Sequence, residues 1–341
     1  MRNWKDDSAY MDNKVNISQI AREVGVSVST VSRALSGSGR ISDATRQKIN
    51  EYLATKELIP NTREKRYTDV TTKMISVVLP GEENFAYMPY FLTVFLSVYD
   101  YFSIRGYQVS LIKITPTDIS NLIHAVEAHV MDGVVLTRTV ENVDEILYLK
   151  EKGVPFVVIG PYEDPSVLRV DTDHETACCE ITNALLHKGL NKIAVMCAQR
   201  YHRINKIRLA GILRSHVENH MLLQREFVFY DTDVINIAEM AIEKTMAAKM
   251  DCILCMDDNL CMGILRLLRK MKIDVPGDIK VASLHNSILL DEWDPSISCI
   301  HFDVDELGKE ASRILHVYLT EKRRLPLSIL GYELQMKDST S

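Results

Sequence analysis

An alternation of apolar strand patterns and helix patterns from Met74 onward limits the fold of this chain more than any other feature. Strands that alternate with helices form doubly wound parallel sheets. The alternation occurs twice, and its second round starts after residue 171. The sequence therefore predicts an α/β body of two Rossmann-like lobes. Ligands of open α/β sheets bind outside the carboxyl ends of the strands, so we expect a ligand cleft where the two sets of strand ends face each other.

Periodicity of apolar residues places the individual elements. We predict strands at 75–79, 108–114, 133–136, 156–159, 192–197, 226–230, 252–255, 279–284 and 329–334. We predict helices at 91–105, 119–130, 141–152, 174–188, 206–220, 235–249 and 258–272.

A second pattern, at residues 17–35, predicts an all-α module in front of this body. The apolar residues of a first helix are Ile17, Ile20, Ala21 and Val24, and those of a second helix are Val28, Val31, Ala34 and Leu35. Gly25 ends the first helix, and Ser27 is placed to cap the second. A turn this short makes the helices cross steeply, which is typical of a helix-turn-helix whose second helix enters the DNA major groove.

The outward residues of the second helix favour DNA as the partner. They are Ser29, Thr30, Ser32 and Arg33. Hydroxyls bond to phosphates and base edges, and arginine can grip guanine with two hydrogen bonds. The alternative is a solvated face on an ordinary helical hairpin. The charge distribution supports DNA, because residues 1–67 hold 12 Lys and Arg against 8 Asp and Glu, while the whole chain has a net charge of −6.

Several motifs extend this interpretation along the chain. Ile20-Ala21, Val24-Gly25-Val26-Ser27 and residues 29–35 (STVSRAL) resemble the headpiece of the LacI/GalR family of bacterial transcriptional regulators. Gln19 and Ser36 replace an Asp and an Asn of the family pattern. Further similar motifs are Met131-Asp132-Gly133-Val134, residues 153–159 (GVPFVVI), Arg208-Leu209-x-Gly211 and Val275-Pro276-x-Asp278-Ile279. The resemblance implies a body shaped like a periplasmic sugar-binding protein.

The resemblance also implies four segments. They are a disordered N-terminal extension at 1–14, a helix-turn-helix headpiece at 15–59, a hinge or linker at 60–71 and an effector-binding and dimerisation domain at 72–341. We expect the N-lobe at about 72–170 and 303–328 and the C-lobe at about 171–302 and 329–341. Ser42 would cap a third headpiece helix, whose Ile49, Tyr52 and Leu53 complete the core. In the family the hinge folds on the operator, but Glu64 and Tyr67 replace its usual alanine and leucine, so a flexible basic linker is the alternative.

The predicted DNA contacts are Ser18, Ser27, Val28, Ser29, Thr30, Ser32, Arg33, Arg40, Thr45, Asn61 and Tyr67. The predicted effector contacts are Tyr90, Phe91, Arg208, Asp257 and His285. By resemblance, Arg208 grips effector oxygens, and a guanidinium suits paired hydroxyls or a carboxylate. Tyr90 and Phe91 either stack on a sugar face or pack in the core. Asp258 is a possible cap of the next helix.

The expected pocket is poor in acids. His285 and Gly160 stand where many or some family members have aspartates. An acidic or phosphorylated effector therefore fits at least as well as a neutral sugar.

The function that follows is a ligand-responsive transcriptional regulator, in most family members a repressor. It is expected to bind a pseudo-palindromic double-stranded operator as a homodimer and to respond to a small-molecule effector. We expect it in the cytoplasm and not in a membrane, since no signal peptide and no apolar run of about 20 residues is present. We expect no cofactor, no metal and no enzyme activity, because Cys252-x-x-Cys255 lacks a second ligand pair and no nucleophile stands beside a base. The alternatives are a sugar-binding receptor without a DNA role and a sugar-modifying enzyme.

Overall fold

The computed structural model describes residues 17–36, 41–42, 44–45, 47–49, 52, 71–82 and 88–341. The chain divides into two compact units, Met1–Val70 and Thr71–Ser341. Among the described residues, no helix has both the length and the apolar character that a membrane span needs. The predicted N-terminal extension and hinge lie outside the described residues, apart from Thr71.

The first unit contains the predicted helix pair. Helix α1 is Ile17–Val24 and helix α2 is Val28–Ser36. Gly25 between them has φ +74°, and the backbone N–H of Thr30 donates to Ser27 Oγ at 3.1 Å, which confirms the predicted turn and cap.

A third set of helical residues, at 44–45, 47–49 and 52, completes the core of this unit. Ser42 Oγ accepts from the backbone N–H of Thr45 at 3.2 Å, which confirms it as the cap. The buried core consists of Ile20, Ala21, Val31 and Ile49, with Tyr52 packed against it. Val28 is 50% exposed, so this apolar residue of the second helix is not part of the core. Leu53 lies outside the described residues.

The second unit has the predicted alternation of helices and strands. Its helices are α3 Pro89–Ser103, α4 Ser120–Glu127, α5 Asp144–Lys152, α6 His174–His187, α7 Arg203–Glu218, α8 Ile235–Ala247, α9 Asp258–Lys270, α10 Ile288–Asp291 and α11 Val304–Glu321. Its strands are β1 Met74–Pro80, β2 Gln108–Ile114, β3 Gly133–Leu136, β4 Phe156–Ile159, β5 Leu168–Thr172, β6 Ile193–Met196, β7 Val228–Phe229, β8 Cys252–Cys255, β9 Lys280–Ser283, β10 Ser298–Phe302, β11 Ser328–Leu330 and β12 Tyr332–Gln335.

The strands form two six-stranded sheets, one in each lobe. The N-lobe sheet has the order β11-β5-β4-β3-β1-β2, and all its neighbours are parallel. The C-lobe sheet has the order β12-β10-β9-β8-β6-β7, parallel except for β10 with β12. The α/β body of two Rossmann-like lobes is therefore confirmed.

Helices cover the sheets and bury the core. In the N-lobe, α3 and α11 pack against each other and against one sheet face, where Val94, Phe102 and Ile314 are fully buried. In the C-lobe, α6 and α7 lie on one face of the sheet and α8 and α9 on the other. Burial of each large apolar side chain contributes about 1.5–3 kcal/mol, so these layers fix the positions of the strand ends.

Three strand predictions need correction. Strands β5 and β10 were missed, because LRVDT and SCIHF place polar residues inside short strands. The single strand predicted at 329–334 is two strands in different sheets, β11 and β12, separated by Gly331. The chain therefore passes between lobes after Thr172, after Phe302 and at Gly331, where the expected boundaries were at about 170/171, 302/303 and 328/329.

Candidate functional site

The first helix of interest is α2, whose N-terminus carries a cluster of hydroxyls. Ser27, Val28 and Ser29 are exposed and Thr30 is half-buried. Ser27 Oγ lies 2.8 Å from Ser29 Oγ and 2.7 Å from Thr30 Oγ1. The first turn of α2 contains no acid. A helix N-terminus with exposed hydroxyls and no negative charge suits a phosphate group.

The other predicted DNA contacts are less fully described. Thr45 is half-buried, and its Oγ1 lies 2.7 Å from Ser42 Oγ. Ser18 lies in α1, and Ser32 and Arg33 lie in α2, but the structure does not describe the side chains of these three residues. Arg40, Asn61 and Tyr67 lie outside the described residues, so their roles stay predictions.

The second site is the cleft between the two lobes, at the carboxyl ends of the strands. It holds a cavity of about 230 Å³, far more than one water molecule needs. All five residues predicted to contact an effector line it, namely Tyr90, Phe91, Arg208, Asp257 and His285. The predicted effector contacts did not include other lining residues, among them Glu82, Asp171, His174, Tyr201, Asp233 and Phe302.

Arg208 projects from α7 into this cleft and is only 6% exposed. One terminal nitrogen, Nη1, donates to the carbonyl oxygen of Met256. Its Nε is buried and has no hydrogen-bond partner among the described residues. A buried donor without a partner is costly, so Arg208 is poised to bond to an oxygen of a ligand.

Two aspartates at the start of α9 have different roles. Asp257 is the helix cap, since its Oδ1 accepts from the backbone N–H of Leu260 at 2.8 Å. Asp258 instead pairs with His285, whose Nδ1 lies 3.0 Å from its Oδ1. The alternative that Asp258 caps the helix was therefore wrong.

The surroundings shift the pKa of both carboxyl groups, in opposite directions. Burial raises the pKa of Asp257, and the neighbouring charge of Asp258 adds to this effect. Burial opposes ionisation of Asp258 too, but the interaction with His285 outweighs burial and lowers the pKa of Asp258 to about 2.

Strand β5 and the start of α6 bring two further titratable groups to the cleft, Asp171 and His174. His174 Nε2 lies 2.6 Å from Thr172 Oγ1, while its Nδ1 is buried without a partner among the described residues. Burial, together with the charge of Arg208, lowers the pKa of His174 well below its usual value, so the ring is neutral at pH 7. Burial raises the pKa of Asp171 to about 6. Both residues were missed because β5 was missed.

Aromatic rings form the apolar part of the wall. The ring of Tyr90 meets Phe91 edge to face at 5.0 Å and His285 at 5.9 Å between centroids. Phe302, at the end of β10, stacks on His285 at 5.8 Å. Phe91 also packs in the N-lobe core, so the core interpretation is confirmed for that residue, and its stacking on a ligand stays a prediction.

The two lobes touch each other at the rim of the cleft. Val140 and His202 form an antiparallel bridge, and the backbone N–H of Glu141 donates to the carbonyl of Tyr201 at 2.9 Å. Lys206 Nζ lies 2.8 Å from Glu141 Oε1. Burial, followed by the charge of Arg138, lowers the pKa of His202 to about 4.

The cleft is richer in acids than the sequence predicted. Its acidic residues are Glu82, Asp171, Asp233, Asp257 and Asp258, and its basic ones are Arg138 and Arg208. Glu82 and Arg138 pair at 2.6 Å. The expectation of an acid-poor pocket was wrong because most of these acids stand outside the positions that were considered.

Gly160 lines the cleft at a position where some family members have an aspartate, and its backbone conformation explains why glycine stands there. Its φ is +113°, in a region that side chains with a Cβ rarely adopt. The position therefore favours glycine on steric grounds.

Metal chemistry finds no support in the described part of the chain. No group of three or more His, Cys, Asp or Glu is placed there to hold a metal ion. Cys252 and Cys255 are free thiols, fully buried in β8, and burial raises the pKa of both. Such thiols are inert packing groups.

Two family profiles match the chain in separate regions. Residues 16–61 match the profile described as bacterial regulatory proteins, lacI family, and residues 182–340 match a periplasmic binding protein-like domain. Catabolite control protein A of Staphylococcus xylosus is 25% identical over 332 residues, which cover 96% of this chain and 99% of that protein.

Solved structures share the fold. The transcriptional regulator CelR in complex with cellobiose has a TM-score of 0.71 and 22% identity. The superposition covers 96% of this chain and 100% of the CelR chain. The transcription regulator CcpA of Lactococcus lactis has a TM-score of 0.69 and 20% identity, covering 80% and 100%.

Fold, cleft and profiles together define a class: a helix-turn-helix module joined to a periplasmic-binding-protein-like body. The chain is similar to the lacI family of bacterial regulatory proteins in the first of these regions and to periplasmic binding proteins in the second.

Proposed function

We propose that this protein is a sequence-specific transcriptional regulator, acting as a repressor, whose operator affinity is controlled by a neutral sugar bound between its lobes. The helix-turn-helix supplies the DNA contact, through the exposed hydroxyls of Ser27 and Ser29 and through Arg33. The observation that carries the ligand control is the set of unpartnered polar atoms that the cleft residues present from both lobes.

These atoms come from four lining residues. Glu82 Oε2 and Thr139 Oγ1 belong to the N-lobe, and His174 Nδ1 and Arg208 Nε to the C-lobe. Each is buried and has no partner among the described residues. A ligand that bonds to both sets removes these desolvation costs only when the lobes are closed. Its binding energy therefore favours the closed arrangement.

The charges favour a neutral polyol over an anion. Five acids against two arginines line the cleft, and Glu82 already neutralises Arg138. A phosphate or carboxylate would meet the negative charge of Asp257, Asp258 and Asp171 at close range. Sugar hydroxyls donate to carboxylates and accept from Arg208, and the rings of Tyr90 and Phe302 offer apolar faces.

The relatives are consistent with this proposal. CelR is described in complex with cellobiose, a neutral disaccharide, and the relatives that the chain matches are transcription regulators. We extend to this chain a homodimer on a pseudo-palindromic operator, because a two-fold protein reads two half-sites of a two-fold site. The place of action would be the bacterial cytoplasm, where the chromosome lies.

A gel-shift series tests the DNA role. The full chain is mixed with duplexes selected from a random library and with scrambled duplexes, from 50 to 200 mM salt. We expect a specific shift whose affinity falls with salt at about −0.9 per phosphate contact on the log–log plot. Equal binding to selected and scrambled duplexes at all salt concentrations would contradict the proposal.

A thermal-shift series tests the ligand class. Glucose, maltose and cellobiose are compared with glucose 6-phosphate and with hypoxanthine at pH 7. We expect stabilisation by a neutral sugar, of about 2.7 kcal/mol at a hundred times its Kd. Stabilisation by glucose 6-phosphate alone would overturn the ligand class and leave the regulator class standing.

A further inference from the structure

Two short segments join the lobes directly across the cleft. Residues 138–141 follow β3 of the N-lobe, and residues 201–206 lead into α7 of the C-lobe. Val140 and His202 form the antiparallel bridge between these segments, and the Glu141 N–H donates to the Tyr201 carbonyl at 2.9 Å. We call the contacts between the two segments the latch. Each of its bonds joins one lobe to the other, so the latch itself stabilises the closed arrangement of the lobes.

Arg203 supplies a side-chain bond of the latch. Its Nε donates to the carbonyl oxygen of Val140 at 2.9 Å, and its guanidinium carbon lies 5.7 Å from the centroid of the Tyr162 ring. Both partners belong to the N-lobe, whereas Arg203 begins α7 of the C-lobe. Val140 is only 4% exposed, so water competes little for its carbonyl. This bond therefore stabilises the latch more than the exposed ion pair of Lys206 with Glu141 does.

The latch also forms part of the wall of the ligand cavity. Arg138, Tyr201 and His202 line the cavity from the two joined segments. The hydroxyl of Tyr201 donates to Glu82 Oε1 at 3.4 Å, which is a further contact between the lobes. A ligand that extends past this wall must break these contacts. The latch therefore limits the cavity on the side of these two segments.

The space between the lobes has the size of one sugar ring. On another side, Thr172 and Phe302 line the cavity where the chain itself passes between the lobes. The cavity volume is about 230 Å³. A cavity of about 150 Å³ holds one benzene ring, and drug-sized ligands occupy about 300–1,000 Å³. A volume between these values suits one ring with its hydroxyl groups and is too small for two linked rings.

We infer that the ligand of the cleft is a sugar of a single ring, and that the latch sets this limit on its size. This inference rests on the proposed function and narrows its ligand class. A monosaccharide fits between the lobes with the latch intact, whereas a disaccharide binds only when the latch is open. The Kd of a disaccharide therefore rises as the fraction of molecules with an open latch falls.

Hydrogen exchange of the Glu141 amide tests the latch and needs no ligand or DNA. This amide donates to Tyr201 of the other lobe, so it is protected only while the latch is formed. In the full wild-type chain we expect exchange at least about tenfold slower than for an unprotected amide of the same sequence. In Arg203→Ala we expect exchange to be faster than in wild type by at least about threefold. Exchange at the unprotected rate in wild type overturns the latch.

Calorimetric titration with related sugars tests the size limit. Glucose, galactose and fructose are compared with cellobiose, lactose and sucrose, which link the same units in pairs. We expect the full chain to bind a monosaccharide at least about tenfold more tightly than any disaccharide that contains it. In Arg203→Ala this preference should fall at least about threefold, because a weakened latch is open more often.

Arg200→Ala is the matched control for both measurements. Arg200 is an exposed arginine just before the latch, and its guanidinium carbon lies 3.9 Å from the centroid of the Tyr230 ring of its own lobe. Its removal should therefore leave the exchange of the Glu141 amide and the preference for monosaccharides as in wild type. Equal effects of Arg200→Ala and Arg203→Ala would contradict a specific role of the bond between the lobes.

The outcomes separate this inference from the proposed function. Tighter binding of a disaccharide than of its monosaccharides overturns the size limit and leaves a sugar-controlled regulator standing. The same preference in wild type and Arg203→Ala overturns the role of the latch. If no sugar of either size binds, the ligand class of the proposed function fails, and the size limit fails with it. The exchange of the Glu141 amide still decides whether the latch forms.

Discussion

The Nδ1 atom of His285 lies 3.0 Å from Oδ1 of Asp258, so the residues that follow β9 and β8 hold each other in the wall of the cleft. The sequence suggested that His285, which stands in place of an aspartate, suits an acidic effector. The pairing instead commits one ring nitrogen to Asp258, while Phe302 stacks on the ring face. His285 therefore presents its remaining edge in a fixed orientation.

Asp258→Asn should weaken the fold. We expect the free energy of unfolding at pH 7 to fall by about 1–3 kcal/mol, because a hydrogen bond to a buried charge is lost. The pKa of Asp258 is lowered to about 2, so its stabilisation is complete above its usual value of 3.8 and is lost as pH falls toward 2. Urea unfolding from pH 3 to 8 measures the difference. Exposed Glu292→Gln is the control, and no difference at pH 7 would contradict the expectation.

Asp171→Asn should stabilise the ligand-free protein. The pKa of Asp171 is raised by burial to about 6, so folding opposes ionisation, and wild-type stability falls as pH rises from about 4 to about 6. The asparagine side chain does not ionise, so the variant lacks the free-energy cost of a buried negative charge. We expect it to be more stable than wild type by up to about 3 kcal/mol at pH 8, with the gain vanishing below pH 4. Thermal unfolding at pH 4, 6 and 8 checks this, and a gain that does not depend on pH would refute the cause.

Arg208→Gln should abolish the response to ligand and leave DNA binding intact. Loss of charge-assisted hydrogen bonds to ligand oxygens should raise the ligand Kd about 10- to 100-fold. Calorimetric titration with the sugar that shifts the melting temperature measures this. Arg214→Gln is the matched control on the same helix, since Arg214 pairs with Glu175 at 2.9 Å outside the cleft lining. Equal losses in both variants would point to a general defect of α7.

Gly211→Ala should destabilise the C-lobe where α7 crosses α6. A Cβ at Gly211 would lie 2.3 Å from the carbonyl oxygen of Glu175 and 2.9 Å from Cys178 Cβ, so the helices must separate. We expect a loss of about 1–3 kcal/mol. Gly263→Ala in α9 meets nothing within 4 Å and should instead gain about 0.5–1 kcal/mol. The denaturant midpoints of both variants, compared with wild type, measure these changes in the free energy of unfolding. Similar effects at both glycines would be inconsistent with close packing at Gly211.

Arg33→Ala should lower discrimination between operator and scrambled DNA. If Arg33 bonds to a guanine edge, the specific complex loses about 1–3 kcal/mol and the non-specific one much less. Fluorescence anisotropy on both duplexes measures the ratio, with exposed Arg22→Ala in α1 as control. An equal loss on both duplexes would make Arg33 a phosphate contact.

Sequence periodicity was sufficient for the fold because most elements are uniform in character. Strands such as β4 and β8 are continuous apolar runs, and amphipathic helices separate them. Periodicity failed at β5, where Arg169 and Asp171 interrupt the apolar pattern although the strand is largely buried. It also failed at Gly331, because one continuous strand pattern covered residues that tertiary packing assigns to two sheets.

The cleft could be predicted in part. Arg208 and Asp257 were found through motif resemblance and strand-end position, and both line the cavity. His174 and Phe302 follow or end the two missed strands, so no local pattern marked them as cleft residues. Glu82 and Tyr201 reach the rim through contacts between lobes, which involve residues 119 positions apart and leave no periodic signal.

Gly331 has a mechanical consequence. It is the only residue between β11 of one sheet and β12 of the other, so Leu330 and Tyr332 stay within about 7 Å of each other whatever the lobes do. The lobes therefore cannot separate at Gly331, and any relative movement there is a rotation about a hinge. A rotation of a few degrees is almost undetectable at this hinge, and the displacement that it causes grows with distance from Gly331.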